Sequence, residues 1–203
     1  MASGMLRSAF VLMAVNPAIL AADLALPDDV VFEPGVEYSN PDNQHLQLNL
    51  ARPKSGSGPF PAIVCIHGGG FRAGHRDGYN KLCLTLAQQG YVAITVSYRL
   101  SPKYQFPAAV HDVKAGVRWL RANAKKYNLD PDRIGVTGGS AGGHLAQFLG
   151  VTAGVRQFEG EGGNPVPYGP LYLGLLHRLL HVLSSCSYVQ AHQHAPAASD
   201  VIA

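Results

Sequence analysis

The sequence has few charged residues and few cysteines. Asp, Glu, Lys and Arg make up 14% of the 203 residues, and the formal net charge is +3 with neutral histidines. A balance this mild gives no argument for nucleic acid or an anionic membrane as a partner, and no basic stripe interleaved with aromatic residues occurs. Three cysteines are too few for a disulfide scaffold. We therefore interpret Cys65 and Cys83 as small core residues.

Long uninterrupted apolar runs are also missing from the sequence. The run from Ala9 to Ala22 is broken by Asn16-Pro17, so it is too short and too interrupted for a membrane span. Arg7 before it and Asp23 after it complete a pattern typical of a secretory signal peptide that is cleaved after Ala22. An N-terminal helix or a mis-assigned start is the alternative. With a signal peptide at residues 1–22, the mature protein is expected to be secreted or periplasmic.

Strand-like and helix-like segments alternate over residues 23–164, which favours a single α/β domain. Residues 27–43 are rich in Pro, Asp and Asn, and we expect an irregular lead-in there that includes a short strand near 36–38. The remaining predicted strands are 45–50, 61–66, 91–97 and 133–137, and the predicted helices are 79–89, 107–124 and 144–149. Continuous apolar strands predict a mostly parallel sheet with helices on both faces, in which ligands bind at the carboxyl ends of the strands.

Gly138-Gly139-Ser140-Ala141-Gly142 is a G-x-S-x-G sequence between a predicted strand and a predicted helix. This context is typical of a nucleophilic serine at a sharp strand-to-helix turn, which we call the elbow. The turn is crowded, so the positions two before and two after Ser140 must lack a Cβ, and Gly138 and Gly142 meet that need. The alternative is a glycine-rich turn that only packs tightly or holds a phosphate at a helix N-terminus.

A second glycine-rich segment, His67-Gly68-Gly69-Gly70, follows another predicted strand. Attack on an ester builds negative charge on the carbonyl oxygen, and glycine backbones allow amide donors to approach that oxygen closely. The predicted donors are the amides of Gly69, Gly70 and Ala141. A phosphate cradle is the alternative, but such a loop normally carries Lys near the glycines, whereas Phe71-Arg72 follows here. We interpret His67 as a residue that orients the loop, and we predict that His75 and Tyr79 line the pocket.

Together these motifs resemble the α/β-hydrolase superfamily, and within it the hormone-sensitive-lipase-like esterases and the acetyl-xylan and feruloyl esterases. The resemblance covers roughly residues 30–164, and the segments that carry it are His67–Gly70, Ser97–Pro102, Phe106–Ala109, His111-Asp112 and Gly138–His144. It implies an α/β-hydrolase fold and hydrolysis of a carboxylic ester through an acyl-enzyme on Ser140, with no metal or organic cofactor. It also implies a small-molecule or polysaccharide-linked ester as substrate, and a structural role for Asp112.

The histidine and carboxylate that must activate Ser140 are not identifiable. In this superfamily the acid and then the histidine follow the serine, whereas Asp200, the only acid in residues 165–203, comes after the four histidines His177, His181, His192 and His194. Glu159 and Glu161 precede these histidines, but they lie too close in sequence to the helix after Ser140 to supply the acid. We expect a fold truncated after the elbow, with residues 165–203 an atypical tail produced by truncation or a frameshift. A catalytically impaired fragment or a non-enzymatic binding domain is the alternative function.

Histidine spacing in this tail also raises the question of a metal site. His177 and His181 stand at i and i+4 and could share one helix face. The segment lacks the Glu of H-E-x-x-H, and no third ligand is evident. We therefore expect no bound metal.

Overall fold

The computed structural model describes residues 25–167 together with residues 169 and 171. The predicted signal peptide at 1–22 and most of the 165–203 tail, including its four histidines, lie outside the described residues. Five strands form one sheet in this part of the chain, in the order β1-β2-β4-β3-β5. Their bounds are β1 Val30–Ser39, β2 Leu46–Pro53, β3 Phe60–Ile66, β4 Val92–Val96 and β5 Leu129–Gly138.

Four of the five strands run in the same direction. β3 pairs in parallel with both β4 and β5, while β2 is antiparallel to β1 and to β4. The register places Ile66 opposite Val96 on one side and Gly138 on the other, so the carboxyl ends of the three parallel strands are level. The loops that follow these strands therefore emerge at one edge of the sheet, where ligands bind in folds of this class.

Helices cover both faces of the sheet, as predicted. Their bounds are α1 Asn80–Gln88, α2 Ala108–Ala122, α3 Ala124–Tyr127, α4 Ala141–Val151 and α5 Arg156–Glu159, with short 3-10 helices at Pro41–Asn43 and Arg76–Tyr79. α1 packs on one face, where Cys83 of the helix and Cys65 of β3 are both fully buried and form no disulfide. α2 and α4 pack on the other face against a larger core that includes Leu48, Ile66 and Val136.

The predicted irregular lead-in at 27–43 is wrong in part, because β1 extends over Val30–Ser39 and not only over the predicted residues 36–38. Pro34-Gly35 normally indicates a turn, and here it forms a bulge. Glu33 pairs with Leu50 and Val36 pairs with Leu48, so β1 holds one extra residue at this point. Gly35 has φ +71, and its amide donates to Asn49 Oδ1 at 2.9 Å, which replaces the lost ladder bond. Pairing with β2 therefore overrides the local turn signal.

Candidate active site

Ser140 lies at the junction of β5 and α4, at the carboxyl edge of the sheet. Its backbone has φ +53 and ψ −119, a conformation that L-residues rarely adopt. The side chain of Ser140 is exposed, whereas Ala141 after it is buried. The turn therefore holds the hydroxyl away from the protein at the N-terminus of α4, as the strand-to-helix elbow requires.

The glycines around Ser140 are required by close backbone contacts. A Cβ on Gly138 would lie 2.6 Å from the Ile66 carbonyl oxygen, and one on Gly142 would lie 2.7 Å from the His67 carbonyl oxygen. Real Cβ atoms essentially never approach backbone this closely. α4 can thus begin directly against the end of β3 only because positions 138 and 142 carry no side chain.

The loop after β3 packs directly on the elbow. A Cβ on Gly68 would lie 2.7 Å from the Gly139 carbonyl oxygen and 3.4 Å from Ser140 Cβ. Gly69 and Gly70 have φ +116 and +60, so this path of the chain depends on glycine. Within residues 25–167, the amides of Gly69, Gly70 and Ala141 donate to no protein acceptor. The structure thus brings together the two glycine-rich segments that the sequence separates by about seventy residues.

His67 holds this loop and is itself buried. Its ring stacks on Tyr98 with centroids 4.3 Å apart, and its Nδ1 donates to the Gly68 carbonyl oxygen at 2.8 Å. The Tyr98 hydroxyl donates to the His67 carbonyl oxygen at 2.9 Å, and burial raises the pKa of that hydroxyl to about 12. Burial lowers the pKa of His67, the bond to Gly68 opposes this shift, and His75 adds to it. His67 is therefore neutral near pH 7, and it stabilises the loop through its hydrogen bond to Gly68.

Arg76 ties the far end of the same loop to the sheet. Its guanidinium donates to Asn49 Oδ1, Ser97 Oγ and Gln47 Oε1 at 2.9–3.0 Å. Its carbonyl oxygen accepts from the Thr95 hydroxyl at 2.9 Å. The loop from 67 to 79 is consequently anchored at both ends, which keeps its amides in fixed positions.

The two predicted pocket residues, His75 and Tyr79, lie at the end of the loop that follows β3, at either end of the 3-10 helix Arg76–Tyr79. A Cβ on Gly139 would lie 2.7 Å from the Tyr79 hydroxyl, so Tyr79 is next to the elbow backbone. His75 is exposed, and its Nδ1 lies 2.9 Å from the Asp77 carboxylate.

An apolar cavity of about 300 Å³ lies between the loop that follows β3 and the first turns of α4. Phe71 and His144 contribute to its wall, and their rings meet edge to face with centroids 6.0 Å apart. Sequence reasoning missed both residues as parts of a site. Their positions could have indicated it, because Phe71 follows the glycine loop directly and His144 is one helical turn after Ser140.

No base for Ser140 is found within residues 25–167, where its hydroxyl makes no hydrogen bond. Asp112 is committed to Arg99, which donates from its amide at 2.8 Å and from its guanidinium at 2.9–3.0 Å. Glu159 accepts from Lys114 Nζ at 2.8 Å and from the Gly154 amide at 3.1 Å. Among the described residues, no cluster of three His, Cys, Asp or Glu could hold a metal.

Comparison with known proteins places this arrangement in a family. The sequence model of the BD-FAE family matches residues 48–168, which include both glycine-rich segments. The chain belongs to the BD-FAE family. Its N-terminal part therefore carries the carboxylesterase version of the α/β-hydrolase fold, as the resemblance implied.

Several relatives of this BD-FAE chain are esterases by name. It is similar to esterase LipC of Mycobacterium tuberculosis, at 39% identity over 51% of this chain and 26% of the relative. It is also similar to ethyl acetate hydrolase of Pseudomonas putida, at 34% identity over 66% of this chain and 42% of the relative. The structure of esterase B from Lactobacillus rhamnosis is 34% identical, covers 67% of this chain and 44% of its own, and superposes with a TM-score of 0.59. The chain thus spans less than half of each of these relatives.

The part of the chain described here contains no helix that is long and apolar enough to cross a membrane.

Proposed function

We propose that this protein is a carboxylic ester hydrolase that acts through Ser140. The observation that carries the proposal is the packing of Gly68 against the elbow. A Cβ on Gly68 would lie 3.4 Å from Ser140 Cβ. This contact puts the amides of Gly69 and Gly70, which donate to no acceptor within residues 25–167, beside an exposed serine hydroxyl. The named esterase relatives support the same reaction.

In the proposed reaction, Ser140 Oγ attacks the ester carbonyl carbon and forms an acyl-enzyme, which water then hydrolyses. The amides of Gly69, Gly70 and Ala141 hold the oxygen that becomes negatively charged. Ala141 lies at the start of α4, where the helix dipole also favours negative charge. Loss of one such donor typically costs about 3–4 kcal/mol in the barrier.

Short acyl esters are the proposed substrates, either free or attached to polysaccharide. Ethyl acetate hydrolase among the relatives supports the small acyl group. The polysaccharide attachment rests on the resemblance to acetyl-xylan and feruloyl esterases alone.

Export is proposed from the pattern at residues 1–22, and it is tested by whether these residues direct a reporter enzyme out of the cell.

The test of the reaction uses the full chain, a fluorophosphonate probe and p-nitrophenyl acetate. We expect a mass increase of one phosphonyl group on Ser140, together with ester turnover. Ser140→Ala is expected to lose the label and about a thousandfold or more of the turnover. Ser57→Ala changes an exposed loop serine and serves as the matched control.

Each outcome of this test has a distinct meaning. Label without turnover retains Ser140 as nucleophile and favours the catalytically impaired fragment. Neither label nor turnover contradicts the proposal and leaves a binding domain. Binding of inorganic phosphate without label indicates instead that the glycine loop is a phosphate cradle.

A further inference from the structure

The cavity of about 300 Å³ lies between the start of α2, the first turns of α4 and the loop after β4. Most of its wall is aromatic or aliphatic and includes Phe71, Tyr104, Ala109, Leu145 and Phe148. A volume of this size is at the lower end of small-molecule sites, which are mostly apolar with a few polar groups.

Two wall residues connect the cavity to the reactive serine. The His144 amide donates to the Ser140 carbonyl oxygen at 3.0 Å, so its side chain leaves α4 one turn after the nucleophile. Phe71 directly follows Gly70 and contacts the His144 ring. Phe71 has φ +62, and its carbonyl oxygen accepts from the Ser101 amide at 2.8 Å. The glycine loop and the elbow helix thus close one end of the cavity together.

The charge in the cavity wall is neutralised. Among the residues that line it, Arg99 is the only Lys, Arg, Asp or Glu, and its side chain is 10% exposed. Its guanidinium pairs with Asp112 at 2.9 Å and with Asp42 at 2.5 Å. With two carboxylates already bound, Arg99 offers little to an anionic ligand.

Ring geometry favours a flat apolar group. His144 and Phe148 are stacked with centroids 6.5 Å apart, and Phe148 meets Phe106 edge to face at 5.8 Å. Phe106 also lines the cavity and is 70% exposed. Such faces and edges interact best with another ring or a compact alkyl group.

We propose that this cavity, whose wall includes Phe71, Tyr104, Ala109, Leu145 and Phe148, binds one compact, uncharged apolar group of the ester whose carbonyl lies at Ser140. The identity of the ligand as an ester rests on the proposed function. The group can belong to the acyl side or to the alcohol side, since both extend from the same carbonyl.

The test uses two amides that cannot be turned over readily, so that binding is separated from reaction. N-benzylacetamide carries its ring on the alcohol side of the corresponding ester, and N-methyl-2-phenylacetamide carries it on the acyl side. Affinity is measured by titration calorimetry with the full chain, and whichever amide binds tighter identifies the side. A carboxylate at the para position of the better ring is expected to weaken binding about tenfold.

Ala109→Phe places a ring inside the cavity, and Ala122→Phe makes the same change at an exposed position of the same helix. We expect Ala109→Phe to weaken amide binding about tenfold or more and Ala122→Phe to leave it unchanged. Phe148→Ala removes part of the wall and is expected to weaken binding as well, should Ala109→Phe fail to fold. Circular dichroism and thermal melting check the fold of each variant.

No binding of either amide to the wild-type chain would overturn the proposal. An amide affinity of folded Ala109→Phe equal to that of the wild type would also overturn it. If Ala109→Phe does not fold, the same comparison is made with folded Phe148→Ala. Phosphonate label on Ser140 without amide binding refutes the cavity and retains the esterase. Amide binding that Ala109→Phe or Phe148→Ala weakens, without label, retains the cavity and refutes the esterase.

Discussion

The imidazole of His67 and the phenol of Tyr98 form a stacked pair, with planes 13° apart and centroids 4.3 Å apart. The Tyr98 hydroxyl also donates to the His67 carbonyl oxygen at 2.9 Å. Because Gly68 follows His67 and packs on Ser140, this pair determines where the glycine loop stands relative to the serine. Tyr98 acts through His67 and is a positioning residue in the proposed reaction.

Tyr98→Phe retains the stacked ring and removes the hydrogen bond. The buried His67 carbonyl oxygen then lacks this donor, and the free energy of unfolding is expected to fall by about 1–3 kcal/mol. We expect slower phosphonate labelling of Ser140, because the loop amides are held less firmly. Urea titration and labelling kinetics measure the two effects. Tyr91→Phe is the matched control, and equal labelling rates in the wild type and Tyr98→Phe would refute the positioning role.

Gly142→Ala tests the crowding at the elbow. Its new methyl group would overlap the Ile66 carbonyl oxygen and lie 2.7 Å from that of His67. Overpacking of this kind typically costs about 1–3 kcal/mol, and α4 must also shift away from β3. We expect reduced stability and loss of Ser140 labelling.

Gly78→Ala is the comparison for this change, because a Cβ there has no heavy atom within 4 Å. Thermal melts and labelling of the two variants are compared side by side. If Gly142→Ala were as stable and as reactive as Gly78→Ala, the elbow would be less constrained than these contacts indicate.

Lys114 is a fully buried cation that connects α2 to the segment after α4. Its Nζ donates to the Thr152 carbonyl oxygen at 2.6 Å and to Glu159 Oε1 at 2.8 Å. Lys114→Met is expected to lower the free energy of unfolding by about 3 kcal/mol, because both acceptors lose a charged donor. Lys125→Met changes an exposed lysine and should have little effect in the same urea titration. If Lys114→Met lowered the free energy of unfolding by less than about 0.5 kcal/mol, the proposed stabilising role of the Lys114–Glu159 pair would be contradicted.

His67 makes stability depend on pH. Burial lowers its folded-state pKa below the ordinary value of 6.5, so the folded protein favours the neutral ring. Below pH 6.5 the unfolded chain binds more protons at this residue, and the free energy of unfolding falls with pH until the folded-state pKa is reached. Above pH 6.5 this contribution is fully present.

His67→Asn removes the titrating ring and retains a short donor for the Gly68 carbonyl oxygen. We expect its stability to fall less steeply than that of the wild type between about pH 6.5 and pH 5. Urea titrations at intervals across this range give the difference. Parallel profiles would show that His67 does not titrate differently in the folded state.

Local patterns predicted the regular elements well. Val110, Val113, Val117 and Leu120 recur every three or four residues, and all four are buried in α2. Predicted ends differ from the observed ends by a few residues, as for β5, which begins at Leu129 rather than Arg133. The prediction caught only residues 36–38 of β1, because Pro34-Gly35 is a turn signal in isolation and only pairing with β2 converts it into a bulge.

The serine elbow and the glycine loop were predicted because each depends on residue types at adjacent positions. Gly138, Gly142 and Gly68 carry their steric requirement in the sequence itself. The cavity wall was not predictable in this way. Phe71, Ala109 and Phe148 come from three segments far apart in the chain, and no local pattern relates them.

The sequence by itself determined the strand–helix alternation, the nucleophile candidate and the glycine donors, because dihedral limits and apolar spacing act within a few residues. The tertiary structure alone decided that Gly68 touches the elbow, that Tyr98 supports His67, and that Phe71 and His144 share a cavity wall. These relationships depend on strand order and helix packing, which join residues far apart in the chain through contacts that no short stretch of sequence encodes.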